Sequence, residues 1–287
     1  MKETELWQAL AATGDNLYDF AWLDETGSCF HRFQPCANCH NGYSVAKLFI
    51  ATAVGLLWAD GKLSLDDPVE RFFPTNTRWR QVLIRHLLTH TSGIAEGFLD
   101  IDNDDLSRYP SDDYLSIVFA QPLPFAPGTH EQYSDAVFYL LARIVEQVQG
   151  QPADDFLADR LFRPMGFGET AWSCCPQHHP IGGTGFYAGA QDVAKLGALY
   201  LNGGVYQGRR LLSEKWVQTA LQNQYELHPL GHGDWIGKLG MCGQGVAFSP
   251  QRKAAAAWHA FDTEGKTELL LRVLGELPEN TVLTKTL

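Results

Sequence analysis

The chain has 287 residues, of which 45% are hydrophobic and 19% are charged. A chain of this length and composition buries a large core and does not have the features of a disordered protein. Its formal net charge of −11 argues against nucleic acid as a partner, because phosphate binding needs clustered lysine and arginine.

The first predicted elements are a helix and a hairpin. Residues 3–12 favour a short helix, and the runs NLYDFAWLDE and SCFHRFQ predict two strands joined by a turn at Thr26 and Gly27. The opening stretch MKETELWQALAATGDN is acidic early and lacks the apolar segment of a secretory signal, so we expect a cytoplasmic protein. Its six cysteines are then expected to be reduced thiols.

A cysteine pair follows the hairpin. Cys36 and Cys39 could form half of a zinc site, with His31 or His40 as a further ligand. A four-ligand site needs a second spaced pair, whereas the cysteines at 174–175 are adjacent. We therefore expect ordinary buried or loop thiols, and we predict neither a metal nor a cofactor.

The segment YSVAKLFIATAVGLLWADG, residues 43–61, predicts a helix that is apolar on nearly every side and hence buried. It is too short and too interrupted to cross a bilayer, so no membrane span is expected. Lys47 lies three positions after Ser44, which puts both side chains on one helix face.

Ser44 and Lys47 together are a candidate nucleophile and base. Burial lowers the pKa of an amine, which can then accept a proton near neutral pH. Unpaired amides at the helix start also favour an oxyanion nearby. The alternative is an N-cap serine followed by a lysine whose ammonium extends to solvent.

The rest of the chain predicts helices first and strands later. A helix is expected to begin with Asp67 as its cap and Pro68 at its first position. The runs QGVAFSP and KAAAAWHAF predict strands. Further helices are expected over residues 135–150, 192–202, 213–221 and 266–276. This order predicts an α/β lobe built from residues 1–65 and 180–287, with an inserted, mainly helical lobe of residues 66–179.

An acidic stretch, DIDNDD, begins like a calcium-binding loop at Asp100, Asp102 and Asp104. The resemblance to such a loop ends there, because its sixth position is Asp105 instead of glycine and its twelfth is Ser111 instead of glutamate. We expect a solvated acidic loop.

Four further stretches, in order with Ser44 and Lys47, carry a family resemblance: IRHLLTHTSGI, FAPGTHEQYSDAVFYLLARIVEQVQG, LFRPMGFGET and GGTGFYAGAQDVAKLGALYLNGGVYQGRRLL. They resemble the serine β-lactamase and penicillin-binding-protein superfamily, specifically the class C β-lactamase-like branch that also holds esterases, amidases and peptidases. The resemblance spans about residues 43–250. It implies an α/β fold of the α+β type, in which an antiparallel sheet flanked by helices carries a helical subdomain, with the site between them.

The resemblance implies that three motifs line this site: S-x-x-K, Y-x-N and a strand motif of the K-T-G kind. Here they correspond to Ser44 and Lys47; to Tyr133, Ser134 and Asp135; and to Lys238, Leu239 and Gly240.

Each motif has an implied role. Ser44 Oγ is expected to attack a carbonyl carbon and form an acyl-enzyme, with either Lys47 or Tyr133 accepting its proton. A phenol has a pKa of about 10 and needs nearby cations, here Lys47 and Lys238, to ionise. The backbone amides of Ser44 and Met241 are expected to form the oxyanion hole. The turn of residues 90–93 is expected to lie behind the site without a chemical role.

Two residues depart from the family pattern. Leu239 replaces the hydroxyl that helps hold a substrate carboxylate in β-lactam-handling relatives, so we expect weak or absent β-lactam turnover. Asp135 replaces the usual asparagine, which favours protonated lysines and shifts the base role toward Tyr133. The predicted function is a serine hydrolase acting on a small ester or amide. The alternatives are a non-catalytic or regulatory binding protein on the same fold, a β-lactamase or a D,D-peptidase. No oligomeric state is predicted.

Overall fold

The structure is a computed structural model, which describes residues 1–74, 78–279 and 281–284. Its helices are α1 (Glu3–Ala12), α2 (Ala46–Ala59), α3 (Ile84–Leu88), α4 (Tyr114–Ala120), α5 (Asp135–Gln149), α6 (Ala153–Leu157), α7 (Arg163–Met165), α8 (Ala190–Leu201), α9 (Glu214–Gln222) and α10 (Thr267–Glu276). A π-helical stretch, Ala158–Phe162, joins α6 to α7.

The strands are β1 (Leu17–Asp24), β2 (Gly27–Arg32), β3 (His40–Asn41), β4 (Ala171–Trp172), β5 (Phe186–Ala188), β6 (Val205–Tyr206), β7 (Arg209–Arg210), β8 (His228–Pro229), β9 (Ile236–Leu239), β10 (Gly245–Ser249) and β11 (Ala254–Ala260). The main sheet is antiparallel, in the order β2-β1-β11-β10-β9-β8. Its neighbours β1 and β11 come from opposite ends of the chain.

The main sheet is covered on both faces. Strand β11 is buried along its whole length, because α8 packs on one face while α1 and α10 cover the other. Gly197 of α8 allows the close approach, since a Cβ there would lie 3.0 Å from the carbonyl oxygen of Ala247. Trp7, Phe20 and Trp258 belong to the apolar cluster between the sheet and the two terminal helices. This packing fixes the position of the sheet edge that carries β9.

Helix α2 passes through the centre of the larger core. Every residue from Ala46 to Leu57 is buried, which confirms the prediction of a helix apolar on nearly all sides. It packs against α5, α6 and α9. Gly55 lies against the indole of Trp216, and a Cβ at this position would overlap the ring. Within the described ranges, no helix combines the length and apolar character needed to cross a membrane.

Most elements expected from the sequence are present, with ends that differ by at most three residues. The prediction of a helix that begins at Asp67 is wrong. One 3-10 turn, Val69–Arg71, forms there, and the residue before it, Pro68, has an extended backbone. The Asp67 carboxylate instead accepts a hydrogen bond from the Ser64 amide, so it closes the preceding turn. The two-lobe division at residues 65/66 and 179/180 stays a prediction.

Candidate active site

Ser44 and Lys47 meet at the start of α2. Ser44 lies in a 3-10 turn, Tyr43–Val45, which leads directly into the helix. The Lys47 side chain is fully buried, and its Nζ lies 3.0 Å from Ser44 Oγ. Its other two acceptors are Asp135 Oδ1 at 2.5 Å and the Gly183 carbonyl oxygen at 2.7 Å. Three acceptors match the three N–H bonds of an ammonium, so Lys47 donates to Ser44 as a cation.

The position of Gly183 depends on its lack of a side chain. A Cβ at this residue would lie 2.8 Å from both Cα and Cβ of Asp135. Only glycine lets the 183 carbonyl reach Lys47 while Asp135 occupies the first turn of α5. Ser134 caps this helix, since its Oγ accepts a hydrogen bond from the Ala136 amide.

Tyr133 reaches the same serine from the other side. Its hydroxyl donates to Ser44 Oγ at 2.6 Å. The centre of its ring lies 4.7 Å from Lys47 Nζ and 5.1 Å from Lys238 Nζ. The four side chains named by the sequence motifs therefore converge within a few ångströms.

The charge environment of Tyr133 differs from the expectation. Although 44% of the residue is exposed, desolvation is the largest influence on the phenol and raises its pKa. Lys238 lowers the pKa, Glu226 and Asp135 raise it, and the result is about 12. The two lysines therefore do not ionise the phenol near neutral pH. Desolvation is the main cause, and the carboxylates that pair with the two lysines add to it.

Glu226 is the partner of Lys238, and the sequence analysis missed it. The two side chains form an ion pair, with 1% and 8% of their surfaces exposed. Burial alone would raise the pKa of Glu226, but Lys238 and a hydrogen bond from His90 outweigh it and lower the pKa to about 2. Glu226 lies just before β8, which pairs with the β9 strand that carries Lys238. A buried lysine in a hairpin was the available signal, because it requires an acid nearby.

His90 contacts the residues of the site, while the expectation that its turn has no chemical role stays a prediction. Its Nε2 lies 2.9 Å from Glu226 Oε1, and its Nδ1 accepts a hydrogen bond from the Ser134 amide at 3.3 Å. These two contacts define a neutral imidazole with the proton on Nε2. The ring lies beside that of Tyr133, with centroids 4.5 Å apart and planes tilted by 32°. His90 thus connects the Glu226–Lys238 pair to the phenol.

Four of the nine non-glycine residues with positive φ in the described part of the chain lie around this site. Tyr43, His90, Glu226 and Cys242 all have φ between 47° and 59°, in the left-handed region. Such a conformation costs a non-glycine residue about 1 kcal/mol or more and persists only where the surroundings enforce it. The segment before the nucleophile, both members of the His90–Glu226 contact and the turn after β9 are therefore held in position by tertiary packing.

The strand motif ends at a close contact with the nucleophile turn. Gly240 approaches this turn so closely that a Cβ would overlap the carbonyl oxygen of Gly42. This contact brings together the segments that carry the Ser44 and Met241 amides. An oxyanion hole formed by these two amides stays a prediction. The side chain of Leu239 packs against the apolar cluster under the terminal helices. A contact between Leu239 and substrate also stays a prediction.

The acidic loop is less solvated than expected. Asp102 is half-buried, and its carboxylate accepts a hydrogen bond from Thr184 Oγ1 at 2.5 Å. Burial is the main cause that raises the pKa of Asp102, with Asp135 and Asp100 adding to it. Carboxylate oxygens of Asp100, Asp102 and Asp135 lie within 4.8 Å of one another. The loop thus contributes negative charge next to the Lys47–Asp135 pair.

Replacing Glu226 should lower the stability of the fold and make that stability less dependent on pH. The pKa of Glu226 is lowered from an ordinary 4.5 to about 2, so its ionised form stabilises the fold above pH 4.5. That stabilisation is lost as the pH falls from 4.5 toward 2. We expect Glu226→Gln to lose about 3–5 kcal/mol of unfolding free energy at pH 7, because Lys238 keeps an unpaired buried charge.

Urea unfolding at pH 7 and at pH 3 measures both effects. The difference between the two pH values should be smaller in Glu226→Gln than in the wild type. Glu25→Gln, at an exposed turn, is the matched control and should change stability by less than about 0.5 kcal/mol. Wild-type stability of Glu226→Gln at pH 7 would contradict the assignment.

Comparison with known proteins supports the family resemblance. Esterase EstB of Burkholderia gladioli is 36% identical over 140 residues, which are 43% of this chain and 36% of that protein. Penicillin-binding protein 4 of Amycolatopsis lactamdurans is 40% identical over 135 residues, 44% of this chain and 34% of that protein. The chain thus spans well under half the length of these curated relatives.

A solved structure has the same fold. The penicillin-binding protein from Bacillus halodurans superposes with a TM-score of 0.73 at 20% identity, over 95% of this chain and 100% of that one. The family model described as Beta-lactamase matches residues 38–269, a range that contains Ser44, Lys47, Tyr133 and Lys238. The chain therefore belongs to the Beta-lactamase family.

Proposed function

We propose that this protein is a serine hydrolase that forms an acyl-enzyme on Ser44 with small esters or amides. The observation that carries the proposal is the double contact at Ser44 Oγ. The Lys47 ammonium lies 3.0 Å from this oxygen, and the Tyr133 hydroxyl lies 2.6 Å from it. A serine held between a cation and a phenol is arranged for nucleophilic catalysis. A serine with only a helix-capping role would not need either group.

Tyr133 carries the proton in this proposal. Lys47 already donates to three acceptors, so as an ammonium it has no lone pair for the Ser44 proton. The phenolate of Tyr133 takes that proton as Ser44 Oγ attacks the carbonyl carbon. The resulting phenol then gives the proton to the leaving alcohol or amine as the acyl-enzyme forms. Water releases the acyl group by the same proton path in reverse.

Backbone amides stabilise the negative charge that develops on the carbonyl oxygen of the substrate during attack. The proposed donors are Ser44 and Met241, whose segments are joined by the Gly240–Gly42 contact. Lys47 supports the attacking oxygen electrostatically without accepting its proton. Loss of one oxyanion donor in other hydrolases lowers the rate by about 10²–10³, so this pair is a substantial part of the catalysis.

The proposed substrate is neutral at the end that faces the acidic loop. Asp102 and Asp100 place carboxylates beside the Lys47–Asp135 pair and would repel a substrate carboxylate. Leu239 offers no hydroxyl to such a group. Both features favour neutral esters or amides over β-lactams and over peptides with a free C-terminal carboxylate.

Covalent labelling tests the proposal directly. We expect a fluorophosphonate probe to add one adduct to the wild-type protein, located on Ser44 by peptide mass spectrometry. Ser44→Ala should remain unlabelled, whereas Ser107→Ala, at an exposed serine, should label like the wild type. A protein that is folded but unreactive toward the probe would instead be a binding protein on this fold.

The identity of the base determines the pH profile. Because the pKa of Tyr133 is about 12, the phenolate fraction and kcat/KM should rise about tenfold per pH unit without levelling below pH 10. Tyr133→Phe should lower kcat by about 10²–10⁴, while Asp135→Asn should retain measurable activity. The measurement is p-nitrophenyl ester hydrolysis from pH 6 to 10, corrected for spontaneous hydrolysis. A plateau near pH 7 with Tyr133→Phe fully active would move the base role to Lys47.

Substrate preference is tested by comparing two chromogenic classes. We expect short-chain p-nitrophenyl esters to be hydrolysed with a kcat/KM at least about 100-fold above that for nitrocefin, because no hydroxyl at position 239 receives the β-lactam carboxylate. Ser44→Ala should abolish both reactions. Comparable efficiency on the two substrates would contradict the proposed preference.

A further inference from the structure

A second cluster of reactive side chains lies behind the nucleophile turn. Ligand atoms of Asp19, Cys36 and His40 are all within 4.8 Å of one another. They come from β1, from the loop after β2 and from β3, so the β1–β2 hairpin brings Asp19 back to the segment that carries Cys36 and His40. The sequence pattern pointed to the pair Cys36 and Cys39, but the Cys39 thiol lies 3.3 Å from the carbonyl oxygen of Glu169 and outside this cluster.

The strongest feature of this cluster is an unsatisfied carboxylate oxygen. Asp19 is fully buried, and its Oδ1 accepts a hydrogen bond from His259 Nδ1 at 2.8 Å. Its Oδ2 has no hydrogen-bond partner among the described residues. A buried carboxylate oxygen without a partner is costly, and a cation is the ligand that relieves the cost.

The other two groups are arranged to meet such a cation. The ring of His40 is held by a 3.1 Å contact between Nε2 and the Ala37 carbonyl oxygen, and it stacks on Tyr18 with centroids 4.6 Å apart. The Cys36 thiol lies beside Asp19 and His40, 3.8 Å from the carbonyl oxygen of Tyr18.

We propose that Asp19, Cys36 and His40 form a zinc site that the family assignment does not include. Thiolate, imidazole and carboxylate are the ligand types that zinc selects, and three protein ligands leave its fourth tetrahedral position to water. The hydrogen bond from His259 to Asp19 is the outer contact that orients a ligating carboxylate.

Zinc at this position would join the segment before the nucleophile to the main sheet. His40 lies in β3, and Asn41 Oδ1 accepts a hydrogen bond from the amide of Tyr43, the residue preceding Ser44. The site is separate from the Ser44 oxygen and its proton path. Its role is to hold strand β1, the loop after β2 and the segment that leads to Ser44 in one arrangement.

Metal content of the purified full chain tests the site. After chelator treatment and dialysis against zinc, we expect about one zinc per wild-type chain by elemental mass spectrometry. Cys36→Ser and His40→Ala should bind zinc at least about tenfold more weakly. Cys39→Ser is the matched control, because it removes a thiol from the same loop and should keep full binding.

Cobalt substitution provides a second readout, in which the wild type and Cys39→Ser report on the site without relying on the fold of Cys36→Ser. Wild-type protein loaded with Co²⁺ should show a thiolate-to-cobalt charge-transfer band, which Cys39→Ser retains and Cys36→Ser lacks. Zinc should also raise the thermal midpoint of the wild type and of Cys39→Ser, but not of Cys36→Ser. Absence of stoichiometric zinc in the wild type, or equal loss in Cys36→Ser and Cys39→Ser, would overturn the proposal. Neither result would affect fluorophosphonate labelling of Ser44.

Discussion

Two buried lysines face one phenol, and each is paired with its own carboxylate. Lys47 is bound by Asp135 from α5, and Lys238 is bound by Glu226 from the segment before β8. A buried charge is tolerated only when it is paired and fully hydrogen-bonded, so these two pairs constrain everything around them. Helix α2 can be apolar on every face and still contain a lysine because α5 delivers the carboxylate.

The pairing also determines the state of the phenol. Two positive and two negative charges cancel, so the site offers no net positive potential that would draw the proton from Tyr133. Desolvation then dominates and keeps its pKa at about 12. The phenol therefore rests as a hydrogen-bond donor to Ser44, and the proposed reaction depends on the small fraction that ionises. This differs from a site with asparagine at position 135, where Lys47 would lack a carboxylate partner.

Local patterns predicted the parts of the site that depend on spacing along one element. Ser44 and Lys47 share a helix face because they are three residues apart, whereas Tyr133 and Lys238 were identified through the family resemblance. Glu226 could not be found in the same way, because the run QNQYELHP has no motif and only the β8–β9 pairing brings it beside Lys238. The contact of His90 with Glu226 could not be predicted for a similar reason, since the two residues are 136 positions apart.

The secondary structure also divides into elements that local sequence determines and elements that tertiary packing determines. Helices α1, α5 and α9 follow from periodicity and from caps such as Ser213, whose Oγ accepts from the Trp216 amide. At Asp67 the local cap pattern predicted a helix, but Phe73 and Val69 are buried in the core and only one 3-10 turn forms. Tertiary burial outweighed the local signal at this point.

Once the two ion pairs cancel, the remaining charge beside Ser44 is that of the acidic loop. Asp102 is anchored to Thr184 and half-buried, so its charge is less screened than that of a solvated loop residue. In the proposed function, a carboxylate-bearing substrate meets this negative group and finds no hydroxyl at position 239. These features arise in different parts of the chain, one from the 100–104 loop and one from β9. They oppose the same substrate group independently, so the proposed selectivity does not depend on a single substitution.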